Sequence, residues 1–339
     1  MAAHTGSAFV PHLEEVMEVL HDAGTNHWHP LIKCEVAEAL PSMVIPSIAA
    51  YHGGDIPWEK GDVGGVSPMS QHTAAITSAV LGELIFLMKE DDKETVGKAC
   101  EGVQAVIEMV GPHALIPVAS ECLKNTHELL IQKAPCQRSD DPAHEEEGDT
   151  DHEIFMNSVC DLLGSFARVM GSHLKQYLNE FLPVVCSYSD PMRPPADRAM
   201  AVGCLSELAQ ELEGTIIEFW KPVFKATILD GLTDPDDNVK RNAAFCAGVC
   251  CESLGNDVTP DYDDLLKAVV KVLEVDPSKG ESSAAAVDNA ASAISRMIMA
   301  SPDHVDMDIY LLPLFRALPL KTDMTENETV YTCLLGLLQ

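Results

Sequence analysis

Small and apolar residues recur along the second half of the chain in a way that defines one type of helix: NSVCDLLGSFARVMG, DRAMAVGCLSELAQELEG, KRNAAFCAGVCCESLG and VDNAASAISRMIMAS. With Asp161, Gly203, Phe245 and Ala291 taken as equivalent points, the intervals are 42, 42 and 46 residues. Between these segments lies a second type with larger side chains: YLNEFLPVVCSYSD, EFWKPVFKATILDGLTD, YDDLLKAVVKVLEVD and IYLLPLFRALPL. In the third of these, Leu265, Leu266, Val269, Val270 and Leu273 fall at helical spacing, a stripe wide enough to pack on two neighbours.

A bulky helix followed by a small-residue helix makes a hairpin, and a period of ~40–47 residues is that of HEAT or armadillo solenoids. The expected fold is therefore all-α, a HEAT-repeat α-solenoid in which antiparallel helix pairs wind into a right-handed superhelix. Extending the pattern backwards places helix pairs at 9–24 and 28–51, 70–91 and 92–111, and 112–133 and 153–171. Residues 1–339 then form a single array of about seven hairpins. Pro117, Pro183, Pro222 and Pro313 recur inside the first helices, where a missing backbone donor bends the axis. In LTDPDDNVKRN, Asp234 and Pro235 close one helix, while Asp236 and Asp237 stand where carboxylates cap the next. The last segment, TVYTCLLGLLQ, is apolar and has no polar cap, so the expectation is part of a longer array.

Two interruptions break the period. Residues 51–71 are rich in Gly and Pro and read as a surface loop between hairpins. Residues 135–152 read as an acidic loop within one hairpin, and the run Arg138 to Glu153 holds eight carboxylates in sixteen residues: Asp140, Asp141, Glu145, Glu146, Glu147, Asp149, Asp151 and Glu153. Its spacing lacks the alternating ligands of a calcium loop. Two readings stay open, a solvated loop and a tethered polyanion that concentrates basic partners.

Composition narrows the function. Fifty-three acids against 22 bases leave a formal charge of −31, a field that attracts basic proteins and repels nucleic-acid phosphates, so no direct nucleic-acid binding is expected. The longest apolar runs are about half of the ~20 residues a bilayer span needs, and the N-terminus lacks a signal-peptide layout, so no membrane partner is expected either. Eleven scattered cysteines without a C-x-x-C pair read as reduced core residues of the cytoplasm or nucleus. No phosphate-binding glycine pattern or catalytic cysteine arrangement occurs, and His27 and His29 lack further ligands at zinc spacing. No enzyme, cofactor or metal is expected.

The acidic insertion followed by DHEIFMNSVCDLLGSFARVMGSHLKQYLNEFLP, then DRAMAVGCLSELAQELEG, NVKRNAAFCAGVCCESLG and DNAASAISRMI followed by ALPLKTDMTEN, resembles the C-terminal repeats of the importin-β (karyopherin) family. The resemblance runs from about residue 150 to the end and implies nuclear import, with shuttling between cytoplasm and nucleus. It further implies a concave acidic surface that grips basic, lysine-rich segments of cargo such as core histone tails and ribosomal proteins. Release by the GTPase Ran would act through N-terminal repeats that this chain does not show, and nucleoporins are further implied partners. The family's pocket for a lysine-bearing tail, carried onto this sequence, places Phe245 at an aromatic position, Asn289 at an amide, and Thr325 and Glu326 where an acidic pair stands. The first departs by losing a phenol hydroxyl and the last by keeping one of two carboxylates, with Glu328 or Asp323 as compensating candidates.

The chemistry has its own logic, because an ammonium needs a carboxylate, a neutral acceptor and an apolar wall for its stem. Asn242, Phe245 and Glu252 lie close to one stripe of a helix. Neighbouring helices add Glu207 on one side and Asp288 with Asn289 on the other. Two alternatives remain open for individual residues: Phe245 as core, and Asn242 bonded to the adjacent loop. Two remain open for the protein: a HEAT scaffold for a folded partner, and a histone chaperone without transport.

Overall fold

The computed structural model describes residues 6–26, 29–138 and 149–338. The described residues form helices and connecting turns, with no strand among them. The chain divides into two compact units, residues 1–177 and 178–339.

In the first unit the helices are α1 (Leu13–Asn26), α2 (Pro30–Ala39), α3 (Ile45–His52), α4 (Gln71–Leu87), α5 (Lys93–Val110), α6 (Ala119–Leu130) and α7 (Asp149–Met170). α1 packs on α2, α4 on α5 and α6 on α7, while α2, α5 and α7 lie side by side as one layer and α1, α4 and α6 as the other. Two of the helix starts have a clear local cause. The Ser70 hydroxyl accepts from the Thr73 amide at the head of α4, and Asp92 accepts from the Thr95 amide at the head of α5, each satisfying a donor that the helix leaves free.

The Gly/Pro-rich loop is not a free surface loop. Trp58 Nε1 donates to the Glu108 carbonyl at 3.0 Å, the Gly61 amide donates to the Val169 carbonyl at 2.9 Å, and His113 Nε2 meets the Gly65 carbonyl at 3.1 Å. The segment is thus strapped across the C-terminal ends of α5 and α7. Those ends are open to it because Gly111 and Gly171 both turn out of their helices with positive φ.

In the second unit the helices are α8 (Lys175–Ser187, which begins just before the boundary), α9 (Pro195–Leu212), α10 (Lys225–Leu232), α11 (Asp237–Leu254), α12 (Tyr262–Val272), α13 (Glu281–Ala300), α14 (Met307–Ala317) and α15 (Asn327–Leu337). α9, α11, α13 and α15 stack in that order, while α10 and α12 cover α11 and α13 from the other side and α14 packs on α13. The small residues of the first helix type now have a reason. On α13, Ser283 to Ser295 are buried throughout, since this helix is enclosed between α11 and α15. A Cβ added at Gly248 would lie 2.9 Å from the Ala293 Cα, so α11 approaches α13 at backbone distance. Asp236 caps α11, accepting from the amides of Asn238 and Val239, as the LTDPDDN turn suggested.

The prolines divide. Pro183 and Pro313 lie inside α8 and α14, and Pro222 sits in the widened turn Trp220–Phe224 just before α10. Pro117, expected inside a helix, stands in the turn before α6, because proline neither donates nor tolerates the preceding helical turn.

Ten of the eleven cysteines are buried and Cys186 is half-buried. Burial pushes the Cys122 thiol up to about 12 and those of Cys34 and Cys136 up to about 11. Because thiolate is the reactive form, Ellman's reagent at pH 8 should modify the native chain slowly, with Cys186 first, and all eleven thiols only in denaturant. Prompt labelling of several thiols in the native chain would contradict this core.

Candidate functional site

All eight residues expected at the cargo site lie in the second unit, on α9, α11, α13 and the segment leading into α15. The structure brings most of them together, but it gives several of them internal partners. Asp288 is fully buried. Its carboxylate accepts from the backbone amides of Lys321, Thr322 and Asp323 at 2.7–3.1 Å, which anchors the turn before α15. With its oxygens taken up by three amides and no access to solvent, it presents nothing to a partner. Asn289, 2% exposed, donates from Nδ2 to the Ala285 carbonyl at 2.9 Å and to Asp323 Oδ2 at 3.0 Å.

Asn242 has an internal partner, on a neighbouring helix and not on the adjacent loop. Its Nδ2 donates to the Ala199 carbonyl at 2.8 Å, linking α11 to α9, and the Ser206 hydroxyl donates to the Asn242 carbonyl at 3.2 Å. Gly203 leaves the space, since a Cβ there would stand 3.1 Å from Asn242 Nδ2. Glu207, on α9, is half-buried and already engaged in an interaction of its own. Thr325 is exposed, and its hydroxyl donates to Asp323 Oδ1 at 2.5 Å.

The remaining three, Phe245, Glu252 and Glu326, surround a residue that sequence reasoning did not single out. Arg296, on α13, reaches Glu252 Oε2 at 3.3 Å and Glu326 Oε2 at 3.1 Å, and its guanidinium carbon lies 5.3 Å from the centroid of the Phe245 ring. A third bond runs from its Nη2 to the Thr329 hydroxyl at 3.3 Å. Glu326, expected on the surface, is 6% exposed and also accepts a short hydrogen bond from Ser292. Glu252 stays exposed and Phe245 is half-buried, so the arrangement opens on their side. An arginine four residues after Ser292 and seven after Asn289 shares their helical face. That spacing was a signal within DNAASAISRMI.

Beside this cluster an open groove of about 280 Å³ is lined by Asn238 and Arg241 of α11, Glu281, Ser282 and Ala285 of α13, and Thr322 and Asp323. Burial alone would raise the Asp323 carboxyl, but hydrogen bonds from Thr325 and Asn289, together with the charge of Arg241 at 3.9 Å, hold it below the usual carboxylate range. Asp323 is therefore the carboxylate next to Asn289, a place that the sequence pattern left between Asp323, Glu326 and Glu328.

Of the acidic run, Asp140, Asp141, Glu145, Glu146 and Glu147 lie outside the described residues. Asp149, Asp151 and Glu153 do not belong to a loop but to the first turns of α7. There the exposed Asp151 and Glu153 complement the helix dipole. Among the described residues, no helix is long and apolar enough to cross a membrane.

The stacked hairpins and the polar groove between α11 and α13 define the class first: a HEAT-repeat α-solenoid. No protein-family model matches the chain. It is 26% identical over 349 aligned residues to the probable importin subunit beta-4 of Schizosaccharomyces pombe, covering 98% of this chain and 31% of that protein. It is 24% identical over 339 residues to importin-4 of Homo sapiens, covering 97% of this chain and 30% of that one. Among solved structures, the karyopherin Kap121p bound to the SUMO protease Ulp1p superposes with a TM-score of 0.78 at 17% identity, covering 97% of this chain and 29% of that one. Kap121p bound to RanGTP gives 0.76 at 18%, covering 98% and 29%. In sequence and fold the chain is similar to importin-β (karyopherin) proteins, and it spans about 30% of the length of those it matches.

Proposed function

We propose that this chain is a segment of a nuclear import receptor and that it holds basic, lysine-bearing segments of cargo on the face made by α11, α13 and the turn before α15. The observation that carries the reading is the similarity to an importin along 98% of the chain. The groove supports it chemically. The groove holds the exposed carboxylate of Glu281, that of Asp323, which already faces Arg241, Asn289 and Thr325, the neutral acceptors Asn238 and Ser282, and the apolar Ala285, groups that suit a lysine ammonium and its stem. The formal charge of −31 adds long-range attraction for basic cargo such as histone tails or ribosomal proteins. Kap121p is seen bound to RanGTP and to Nup53p. For this chain, contacts with Ran and nucleoporins, and shuttling between cytoplasm and nucleus, are parts of the same proposal. The role is binding, without catalysis.

A fluorescent histone-tail peptide titrated into the 339-residue chain at low and moderate salt tests it. Binding at low salt should weaken as salt screens the charges, and a peptide with its lysines changed to glutamine should bind far less. Asp323→Asn combined with Glu281→Gln should reduce affinity by about tenfold, a loss of about 1.4 kcal/mol. An absence of binding at low salt refutes the reading, and indifference to lysine-to-glutamine exchange points to a scaffold for a folded partner instead.

A further inference from the structure

The cluster around Arg296 has the composition of a receptor for a cation and already contains one. Glu252 and the face of Phe245, both on α11, and Glu326, at the approach to α15, converge on the guanidinium that α13 supplies. Aromatic faces attract guanidinium and ammonium alike, and a pair of carboxylates completes the recognition of either.

The fit of the occupant is incomplete. Nη1 of Arg296 is buried and has no hydrogen-bond partner, whereas Nε and Nη2 are both used. The contact with Glu252 is the looser of its two ion pairs at 3.3 Å, and that carboxylate is 57% exposed. The stem has room because α11 carries Gly248 beneath it, where a Cβ would stand 3.1 Å from Arg296 Cδ. One side of the site is therefore fixed and dry at Glu326, and the other is open at Glu252 and Phe245.

We propose that Phe245, Glu252 and Glu326 form a cation cage whose resident is Arg296, and that a basic side chain of a bound peptide enters it only by displacing that resident. This deepens the reading of the face as a surface for lysine-bearing segments and rests on it. The competing role for Arg296 is a static link between three stacked helices. The two roles differ in the sign of one effect. A self-occupied site binds more weakly than an empty one by the fraction of time it stands open, so a cage closed about nine-tenths of the time costs about tenfold in apparent affinity.

The experiment uses the full chain with Arg296→Ala and the same histone-tail peptide. The variant is expected to bind the peptide about tenfold more tightly than the parent. In the absence of peptide, millimolar methylguanidinium chloride should raise its melting temperature more than sodium chloride at equal ionic strength, and should leave the parent unchanged. A folded variant that binds the peptide equally or less tightly overturns the proposal and leaves the import reading intact if the parent binds. Failure of both parent and variant to bind refutes the two together. Should Arg296→Ala not fold, the parent labelled with nitrogen-15 arginine settles the matter. The Arg296 Nε–H resonance, slow to exchange when caged, should lose protection as peptide is added, and an unresponsive resonance overturns the proposal.

Discussion

Arg198→Ala is expected to destabilise the second unit by about 3–5 kcal/mol, the range for removing one partner of a buried ion pair. The guanidinium of Arg198, on α9, meets Asp234 in two parallel bonds, Nε to Oδ2 at 2.8 Å and Nη2 to Oδ1 at 2.9 Å, and its Nη1 donates to the Arg193 carbonyl at 2.5 Å. Both side chains are nearly sealed from solvent, at 7% and 11% exposure. Asp234 also accepts from the Asp236 amide at 2.8 Å, and Asp236 in turn caps α11. Truncating Arg198 leaves a buried carboxylate with its counter-charge gone and loosens the turn that starts the next helix.

Urea unfolding followed by circular dichroism measures the effect, and a midpoint within error of the parent would rule it out. Adding Asp234→Ala should restore part of the loss, because the uncompensated charge disappears with it. The pH dependence has a definite sign. Burial pushes the Asp234 carboxyl up, but the hydrogen bonds and charge of Arg198 outweigh this and hold it below its ordinary value of 3.8. A depressed carboxylate contributes stability above the unfolded value, and that contribution is lost as the pH falls through the lower folded value. The parent's stabilisation by this pair should therefore be full at pH 7 and be lost only below the ordinary aspartate range.

Gly111→Ala should be the most damaging single-methyl change in the first unit, at about 3 kcal/mol once backbone strain is added to overpacking. Gly111 ends α5 with φ +80° and ψ −169°, a region that side chains other than hydrogen rarely occupy. The added Cβ would also stand 2.4 Å from Trp58 Cγ and 2.5 Å from Trp58 Cβ. The indole cannot yield by rotating its tip, since its own Cβ is in the way. The loop must then lift, breaking the bond from Trp58 Nε1 to the Glu108 carbonyl. A red shift of tryptophan emission that Trp58→Phe abolishes would report this, together with a lower melting temperature. A variant that melts like the parent with unshifted emission would show that the loop is not strapped there.

Helix identity was legible in the sequence because it depends on neighbours within a few residues. The stripe of Leu265, Leu266 and Val269 is buried in α12, and the Asp236 cap stands where LTDPDDN suggested. The solenoid was legible for a related reason, since a repeat of small-residue helices buries both faces by stacking on its own neighbours. The Gly/Pro segment from 51 to 71 was legible as irregular chain but not as a strap. Nothing local in the sequence says that Trp58 will find the bare helix end at Gly111.

The cargo site shows the same division. Phe245, Glu252, Asp288, Asn289 and Glu326 were chosen for their chemistry and position on a helix face, and the fold does gather them between α11 and α15. Which of them faces inwards was beyond reach. Asp288 and Asn289 are adjacent in sequence, yet one holds three backbone amides and the other holds Asp323. Residue type, period and turn chemistry by themselves determined an all-helical stack of hairpins with a strongly negative charge. Only the tertiary structure decided which charge meets which. A carboxylate can be satisfied by a backbone amide, a neighbouring arginine or a visiting lysine, and the choice falls to whichever donors the packing of adjacent helices brings within about 3 Å.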